Sequence, residues 1–428
     1  MSAPFQFGVA LSGGGFRATL FHLGVIRFLF EAGLLREVRF ISGVSGGAIL
    51  AAHIGLHWRE YCGDTDTFTE AAAEIVSFAR RDLRNRVLRR WLFGWLTLAP
   101  RLLVKWSRTE LLQREYRHLY GDRRVKQFTH VGHPGEPRIV IQSASLTTGM
   151  PCTFGHSGFM EYKEEADGRA LHLPRDRELS FDANPEVALA VAASSAFPPL
   201  FPPVHLDQAV LAADPPLEQP HELTDGGVFD NFGIERPLWY YQNQEQTPNE
   251  RLEAFLLSDG EGSFSRDDRS WRFKFALTRN VRATELMMKR LTRSTWNHLS
   301  EQRTHTFAGV SIAHSPDAGG SNLQTALKNI RTDLDRFSDL EIESLVEHGY
   351  SIARAQLIAN KWVPPDAPTG SWCPVRRSTL DNQQKWCELK SASARRWWPL
   401  VTDVTDAYLL WLLLALAAWV EVLRRLLT

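Results

Sequence analysis

A serine between glycines is the residue of this chain best placed for covalent chemistry. Ser45 stands at the centre of the segment GVSGG, residues 43–47, which fits the pattern G-x-S-x-G. Glycines around such a serine remove the Cβ atoms that would clash in a tight turn between a strand and a helix. The helix that follows points its amides and its partial positive charge at a developing anion. The spacing therefore predicts that Ser45 is a nucleophile on a strand-to-helix turn.

Three consecutive glycines near the start of the chain are candidates for binding that anion. Gly13, Gly14 and Gly15 follow an apolar run at residues 5–11. The exposed amides of such a turn can stabilise the oxyanion of a tetrahedral intermediate. Arg17, two residues further on, either adds positive charge or holds the loop in place.

The same glycines also fit a dinucleotide-binding loop. With Ala18 they match G-x-G-x-x-A, and Glu31 and Glu37 lie at about the spacing of a ribose ligand. A Rossmann oxidoreductase that binds NAD(P) is therefore the alternative. Two observations weigh against it. Arg17 stands where the first helical turn would pack, and Ser45 would have no role.

A serine nucleophile needs a group that takes its proton, and more than one residue qualifies. Asp225 ends a strand-like run just before two glycines, and Asp259 ends a second such run. A Ser-His-Asp triad would instead use a histidine downstream of Ser45. The candidates for that histidine are His298, His305 and His314. None of the three stands in an obvious catalytic turn, so the residue pattern leaves the choice of base open.

Strand-like and helical patterns alternate in the first sixty or so residues. Apolar runs at 5–11 and 38–41 are typical of strands, and the spacing at 16–32 and 46–58 is helical. This alternation predicts a parallel sheet with covering helices. The pattern continues with strands at 138–146, 252–257 and 306–313, and with helices at 185–195, 284–302 and 338–361.

The composition is that of an ordinary globular chain of 428 residues, with 44% hydrophobic and 23% charged residues and a formal net charge of zero. A net charge of zero gives no reason to expect a nucleic-acid partner. The four cysteines have neither metal-type spacing nor a disulfide pattern, which indicates a reducing compartment. The N-terminus lacks the pattern of a signal peptide. A cytoplasmic location is expected.

Two segments point to a membrane. Residues 80–117 hold eleven Arg/Lys and three acidic residues with aromatic residues between them, which is typical of a helix on a membrane surface. A solvated basic face over a buried aromatic face is the alternative. Residues 407–420 carry no charge and lie among tryptophans, which predicts a core helix, an interfacial helix or a membrane anchor. We expect a peripheral or tail-anchored protein.

Taken together, the motifs resemble the patatin-like phospholipase family. GGGFR at 13–17, GVSGG at 43–47, ASSAFPP at 193–199 and DGG at 225–227 occur in the order that this family shows. The resemblance spans roughly residues 5–235, with an unmatched basic helical insert near 64–130. It implies a three-layer α/β/α fold with a mostly parallel central sheet, within an acyl hydrolase domain at 1–363. Beyond the resemblance, the polar, proline-containing stretch at 364–396 predicts an irregular linker, and residues 397–428 predict an apolar tail helix.

The resemblance also implies a mechanism. Ser45 would be the nucleophile and Asp225 the base of a Ser-Asp dyad without a catalytic histidine. The glycines at 13–15 would form the oxyanion hole with Arg17 alongside, and Asp259 would be structural. The implied substrate is a membrane phospholipid, cleaved at an acyl ester, and these residues require no cofactor and no metal. The sequence leaves the oligomeric state open. A membrane-associated regulatory protein with an inactive hydrolase fold is the alternative from another class, and the intact dyad counts against it.

Overall fold

One mixed β-sheet runs through the protein. The computed structural model of the chain describes residues 5–96, 107–129, 135–162, 178–198, 200–242, 252–262, 264, 270–301, 306–315, 322–370, 372–392 and 407–427. The strands in these ranges are β1 (Phe7–Leu11), β2 (Val38–Val44), β3 (Arg138–Ser145), β4 (Pro151–Gly155), β5 (Gly158–Tyr162), β6 (Glu178–Phe181), β7 (Val204–Leu206), β8 (His221–Asp225), β9 (Ala254–Asp259) and β10 (Thr306–Ser311).

The sheet has a parallel half and an antiparallel half. Its order is β10-β9-β1-β2-β3-β4-β5-β6, and β10, β9, β1, β2 and β3 run parallel to one another. β4, β5 and β6 continue the sheet antiparallel, and β8 pairs antiparallel with the end of β3 and with β7. The predicted parallel sheet is confirmed. The hairpin of β4 and β5 is an addition that the sequence did not predict.

Helices cover both faces of the sheet. In the described ranges they are α1 (Gly15–Glu31), α2 (Gly46–Leu56), α3 (Trp58–Tyr61), α4 (Thr65–Ala79), α5 (Leu83–Leu96), α6 (Arg108–Tyr120), α7 (Val187–Ser194), α8 (Gln208–Leu211), α9 (Gly227–Asp230), α10 (Glu235–Gln242), α11 (Ala276–Glu301), α12 (Asn322–Lys328), α13 (Asp339–Ala359), α14 (Asn382–Ala392) and α15 (Ala407–Leu427). Capping residues mark the start of several of these helices. Ser338, for example, caps α13 by accepting from the amide of Glu341, whose carboxylate accepts in return from the amide of Ser338.

The two faces of the sheet bury separate cores, which confirms the three-layer fold. In β1, the side chains of Val9 and Leu11 join a large core with α1, α2 and α13, whereas Ala10 joins a smaller core on the opposite face. The smaller core includes Leu238 of α10 and Leu299 of α11. Successive side chains of a strand point to opposite faces, so a strand buried on both sides is apolar throughout, as β1 is.

The basic helical segment forms part of this packed body. The hydroxyl of Tyr116 on α6 donates to Ser195, and that of Tyr120 donates to the carbonyl of Ile49 on α2. The arginines of α5 and its approach pair internally. Arg81, Arg86 and Arg90 surround the fully buried carboxylate of Glu115, while Arg84 contacts Asp333 and Arg89 contacts Asp82. These arginines therefore do not form the solvated basic face that the sequence suggested as one interpretation.

The segment predicted to be an irregular linker is partly ordered, so that interpretation was wrong for α14. Trp372 packs edge-on against Phe68 of α4, and Lys385 of α14 lies 2.9 Å from the carboxylate of Glu343 on α13. Residues 393–406 lie outside the described residues. The proposed division into hydrolase domain, linker and tail stays a prediction.

The apolar tail forms helix α15, which packs against α5. Leu413, Leu414 and Val420 on this helix are exposed. Among the described helices, none has the combination of length and apolar character that crossing a bilayer requires. Membrane association through the tail stays a prediction.

The contact between α1 and α13 depends on two glycines and generates a prediction. A Cβ at Gly349 would lie 2.0 Å from the carbonyl oxygen of Phe21, and one at Gly24 would lie 2.0 Å from that of Val346. We expect Gly349→Ala to lower the free energy of unfolding by roughly 1–3 kcal/mol, because backbone atoms cannot rotate away as a side chain can. Ser351→Ala, at a partly exposed position on the same helix, should change it by less than about 0.5 kcal/mol. Urea unfolding measures both, and equal effects would contradict the prediction.

Candidate active site

Ser45 occupies the sharp turn between β2 and α2. Its φ is 50° and its ψ is −115°, a strained conformation for a residue with a Cβ. The turn is held from outside, because α2 begins directly against the loop between β1 and α1. A Cβ at Gly46 would lie 2.2 Å from the carbonyl oxygen of Gly15, and one at Gly47 would lie 2.1 Å from that of Leu11. Only glycine allows this approach, which explains the pair after the serine.

The backbone and side chain of Ser45 have different partners. Its amide donates to Oγ of Ser194, the last residue of α7, over 2.9 Å. Its side chain lies next to the carboxylate of Asp225, close enough to lower the pKa of that carboxyl. The main chain of Ser45 is thus held by α7, while its reactive group lies beside the candidate base.

Asp225 ends β8 and is buried beneath the serine turn. β8 pairs with β3, so that Asp225 lies opposite Ser143. Its Oδ1 accepts from the amide of Gly227 over 2.8 Å. Burial raises the pKa of this carboxyl to about 7, and the hydrogen bond from Gly227 and the nearby side chain of Ser45 oppose that rise. The group is thus poised to hold or release a proton near neutral pH.

The glycine loop lies beside Ser45, but its three amides are not equivalent. A Cβ built on Gly13 would lie 3.4 Å from Cβ of Ser45. The amide of Gly13 donates to the carbonyl of Asn231 over 3.0 Å, so it is not free for an oxyanion. The amides of Gly14 and Gly15 have no acceptor among the residues that the structure describes. Of the three predicted donors, these two remain.

Two helix N-termini converge at this point. α1 begins at Gly15 and α2 begins at Gly46, and the backbones of these two glycines touch. Thr19 links them, because its hydroxyl donates to the carbonyl of Gly46 over 2.7 Å. The partial positive charges of both helices therefore act on the same small volume, where they favour an anion.

Arg17 fixes the loop, which is one of the two roles considered for it. The side chain is buried, and its Nε donates to the carbonyl of Gly260 over 3.0 Å. Its Nη1 donates to the carbonyl of Ile330 over 2.6 Å. The guanidinium thus connects the start of α1 to two distant loops.

The competing aspartate has other partners. Oδ2 of Asp259 accepts from the hydroxyl of Ser311 over 2.7 Å, and its Oδ1 accepts from the amide of Glu261 over 2.8 Å. Burial raises the pKa of Asp259 as well. It ends β9, and β1 separates β9 from β2 and its Ser45. Its partners are those of a structural strand-end residue.

The candidate histidines show no link to Ser45 in the described structure. The amide of Ser311 donates to Nδ1 of His314 over 3.3 Å, and the ring lies edge-on to Trp296. The side chain of His298 and the whole of His305 lie outside the described residues. The buried His22 sits between Ser258 and the carbonyl of Ser12, and burial lowers its pKa to about 4, so it is neutral.

One cluster has the composition of a metal site. Nitrogen and oxygen atoms of His53, His57 and Glu74 lie within 4.8 Å of one another. His53, however, has both ring nitrogens hydrogen-bonded, Nδ1 with the hydroxyl of Tyr61 at 3.0 Å and Nε2 with Glu74 at 3.2 Å. A neutral ring that accepts from the tyrosine and donates to the carboxylate satisfies all three groups. Hydrogen bonding therefore accounts for this cluster.

The dinucleotide alternative does not fit this geometry. Glu31, a candidate ribose ligand, stands at the end of α1 remote from the glycine loop, where it pairs with Arg27 and accepts from the hydroxyl of Tyr350. The glycine loop has backbone on two sides. A Cβ on Gly15 would lie 2.4 Å from the carbonyl oxygen of Asp333, and Gly46 touches it from α2. The backbones of Asp333 and of Gly46 thus occupy the space on two sides of the glycine loop, next to Ser45.

The fold and the turn define an α/β protein with a serine on a strand-to-helix elbow. The family model for patatin-like phospholipase matches residues 9–238, and the chain belongs to this family. A search of curated proteins finds no match.

Solved structures with a similar arrangement are distant in sequence. Human GIVD cytosolic phospholipase A2 in complex with methyl gamma-linolenyl fluorophosphonate is 14% identical, with a TM-score of 0.43. The match covers 92% of this chain and 60% of that one. A second structure of human GIVD cytosolic phospholipase A2 is 14% identical with a TM-score of 0.44, covering 84% and 63% of the two chains. VipD from Legionella pneumophila is 14% identical with a TM-score of 0.37, covering 84% and 68%. The chain thus spans about 60% of the length of the phospholipase A2 structures.

Two residues of the site have roles that the sequence did not predict. Ser194 holds the amide of Ser45, and Asn231 holds that of Gly13. Ser194 stands in ASSAFPP, a segment already noted for its resemblance, whereas Asn231 follows the DGG segment and lies outside the four motifs. Their roles depend on contacts between distant parts of the chain, which spacing along the sequence does not reveal.

The contacts of Arg17 generate a prediction. We expect Arg17→Lys to lower the free energy of unfolding by about 2 kcal/mol, because one ammonium group cannot reach both carbonyls that the guanidinium binds. Arg424→Lys makes the same exchange at a side chain that is 73% exposed and should have little effect. Chemical denaturation measures both variants. An unchanged stability in Arg17→Lys would contradict the loop-fixing role.

Proposed function

We propose that this protein hydrolyses acyl esters of membrane phospholipids with Ser45 as nucleophile and Asp225 as base. One observation carries the proposal, namely that the strained Ser45 lies next to the buried carboxylate of Asp225. The unoccupied amides of Gly14 and Gly15 beside the serine support it. Membership of the patatin-like phospholipase family supports the lipid substrate.

The proposed reaction has two stages. Oγ of Ser45 attacks the ester carbonyl carbon while Asp225 accepts the hydroxyl proton, and the resulting oxyanion is held by the amides of Gly14 and Gly15. The intermediate collapses as Asp225 returns the proton to the leaving alcohol, which leaves an acyl group on Ser45. Water, deprotonated by the same aspartate, then releases the fatty acid. Asp225 is the base in both stages, and the reaction as written needs no histidine.

Asp225 is suited to act as a base because its side chain is buried away from water. A carboxylate in water, with a pKa near 3.9, is a weak base at neutral pH. Burial raises the pKa of Asp225 to about 7, which makes the carboxylate a stronger base while a substantial fraction stays ionised. The hydrogen bond from Gly227 keeps the side chain aimed at the serine turn.

A regulatory protein with an inactive hydrolase fold remains the alternative from another class. Such a protein has no need for the strained φ of Ser45 or for a buried carboxylate beside its side chain. Both cost free energy of folding, since strain costs about 1–3 kcal/mol and a buried ionisable group is desolvated. Their presence together favours the enzyme.

Substitution of the dyad tests the proposal directly. We expect Ser45→Ala and Asp225→Asn each to reduce fatty-acid release from phospholipid vesicles by at least about a thousandfold, because neither variant can form the acyl-enzyme efficiently. Asp259→Asn is the matched control, since it changes another buried strand-end aspartate, one that contacts Ser311 instead. A folded Ser45→Ala variant with full activity would exclude the proposed nucleophile. Full activity in Asp225→Asn would exclude the proposed base.

The raised pKa of Asp225 makes a separate prediction about pH. The base works only when it is deprotonated, so kcat/KM on a soluble short-chain ester should rise tenfold per pH unit below about 7 and level off above it. An aspartate with its ordinary pKa would give a plateau already at pH 5. A rate profile from pH 5 to pH 9 measures this, and a flat profile between 5 and 8 would contradict the assignment.

A further inference from the structure

The outer face of α11 exposes an unusual amount of apolar surface. Leu286, Met287 and Leu291 on this helix are 57%, 67% and 47% exposed. The 3-10 turn before it, Ser270–Lys274, and the first residue after that turn add two exposed aromatic rings, those of Trp271 and Phe275. These five side chains are here called the α11 apolar face. Exposed apolar side chains grouped in this way mark a surface that contacts something other than water.

The inner face of α11 lies directly behind the candidate active site. A Cβ on Gly227, whose amide holds Asp225, would lie 2.8 Å from Cε of Met288. Lys289 pairs with Glu261 over 3.0 Å, and Trp296 packs against Phe232. The helix is therefore fixed on the loops that follow β8 and β9, at the edge of the sheet where the dyad stands.

The charge of this segment matches an anionic surface. Residues 270–301 contain seven Arg/Lys and two acidic residues. Lys289 pairs with Glu261 and Arg282 pairs with Glu285, whereas Lys274, Arg290 and Arg293 are exposed around the α11 apolar face. Large apolar side chains surrounded by exposed cations are the pattern of a helix that lies in the headgroup region of a bilayer.

The other candidate membrane elements match this pattern less well. The arginines of α5 pair with carboxylates of the protein itself. On α15, Arg424 and Arg425 both pair with Glu421. α15 exposes leucines but lacks a surplus of unpaired charge, and the described structure packs it on α5.

We propose that the α11 apolar face and its surrounding cations form the surface that docks on an anionic phospholipid bilayer. In this position the bilayer meets the protein at the edge that carries Ser45 and Asp225, so a phospholipid acyl ester enters the site from the surface. The proposal deepens the proposed function and rests on it for the identity of the substrate. The binding itself does not require catalysis.

The first test measures binding in the full chain with Ser45→Ala, so that vesicles stay intact. Into this protein we would introduce Leu286→Ser with Met287→Ser, and separately Arg290→Glu with Arg293→Glu. Co-sedimentation with vesicles of phosphatidylcholine mixed with phosphatidylglycerol should fall at least about tenfold for both pairs. Vesicles of phosphatidylcholine alone should bind the parent protein more weakly, and the charge pair should abolish that difference.

The control changes equally exposed leucines on another helix. Leu413→Ser with Leu414→Ser on α15 removes two side chains that are 51% and 52% exposed and should leave vesicle binding within about twofold. Binding by the α11 variants that equals the parent would overturn the proposal, as would a loss confined to the α15 variant. Thermal unfolding checks that each variant is folded, and Met287→Ser alone replaces the pair if the pair does not fold.

A second measurement separates this proposal from the proposed chemistry. With Ser45 intact, the α11 variants should hydrolyse a soluble short-chain ester at the parent rate, while fatty-acid release from vesicles falls about tenfold. A protein that binds vesicles through α11 but hydrolyses neither substrate would refute the Ser-Asp chemistry and leave the docking surface standing. Equal loss on the soluble and the vesicle substrates would refute the docking role.

Discussion

The site depends on one close contact, that between the first turn of α2 and the loop joining β1 to α1. Gly46 rests on the backbone of Gly15, and any side chain at Gly46 would overlap a carbonyl oxygen. Because the two loops touch, the N-termini of α1 and α2 act on one small volume. The same contact holds Ser45 at a positive φ and keeps the amides of Gly14 and Gly15 at its side. The strain at the serine is thus maintained by packing of backbone against backbone, which cannot relax locally.

The second constraint is the burial of charge. Asp225 and Asp259 end different strands of the same sheet, both are buried, and burial raises the pKa of both carboxyls. Their partners distinguish them, since Ser45 contacts the first and Ser311 the second. Elsewhere the protein compensates buried charge with paired charge, as around Glu115, where three arginines converge. Among the described residues, Asp225 has no such cation partner. No positive charge therefore offsets the rise that burial causes in its pKa.

The sequence predicted the first two strands and helices well because the residues that specify each of them lie close together along the chain. The apolar run of β1, the glycines after it and the helical spacing of α1 all lie within about thirty residues. It missed the β4–β5 hairpin and predicted an irregular segment where α14 forms. Those elements are stabilised by pairing with β3 and by packing on α13, contacts far apart along the chain. The basic character of α5 was visible as a count of charges, but the carboxylates that neutralise it come from other elements.

What the sequence alone determined about this protein is local and compositional: the serine turn, the glycine loop, the order of the motifs and hence the family. Those features are encoded in consecutive residues, where glycine and serine act through backbone geometry. The tertiary structure decided which aspartate lies next to Ser45, that the amide of Gly13 but not those of Gly14 and Gly15 has a described acceptor, and that Arg17 binds two distant carbonyls. It also decided that the exposed apolar and basic face belongs to α11. Such choices depend on which surfaces the folded sheet brings together and which it leaves in water, and no spacing along the chain encodes them.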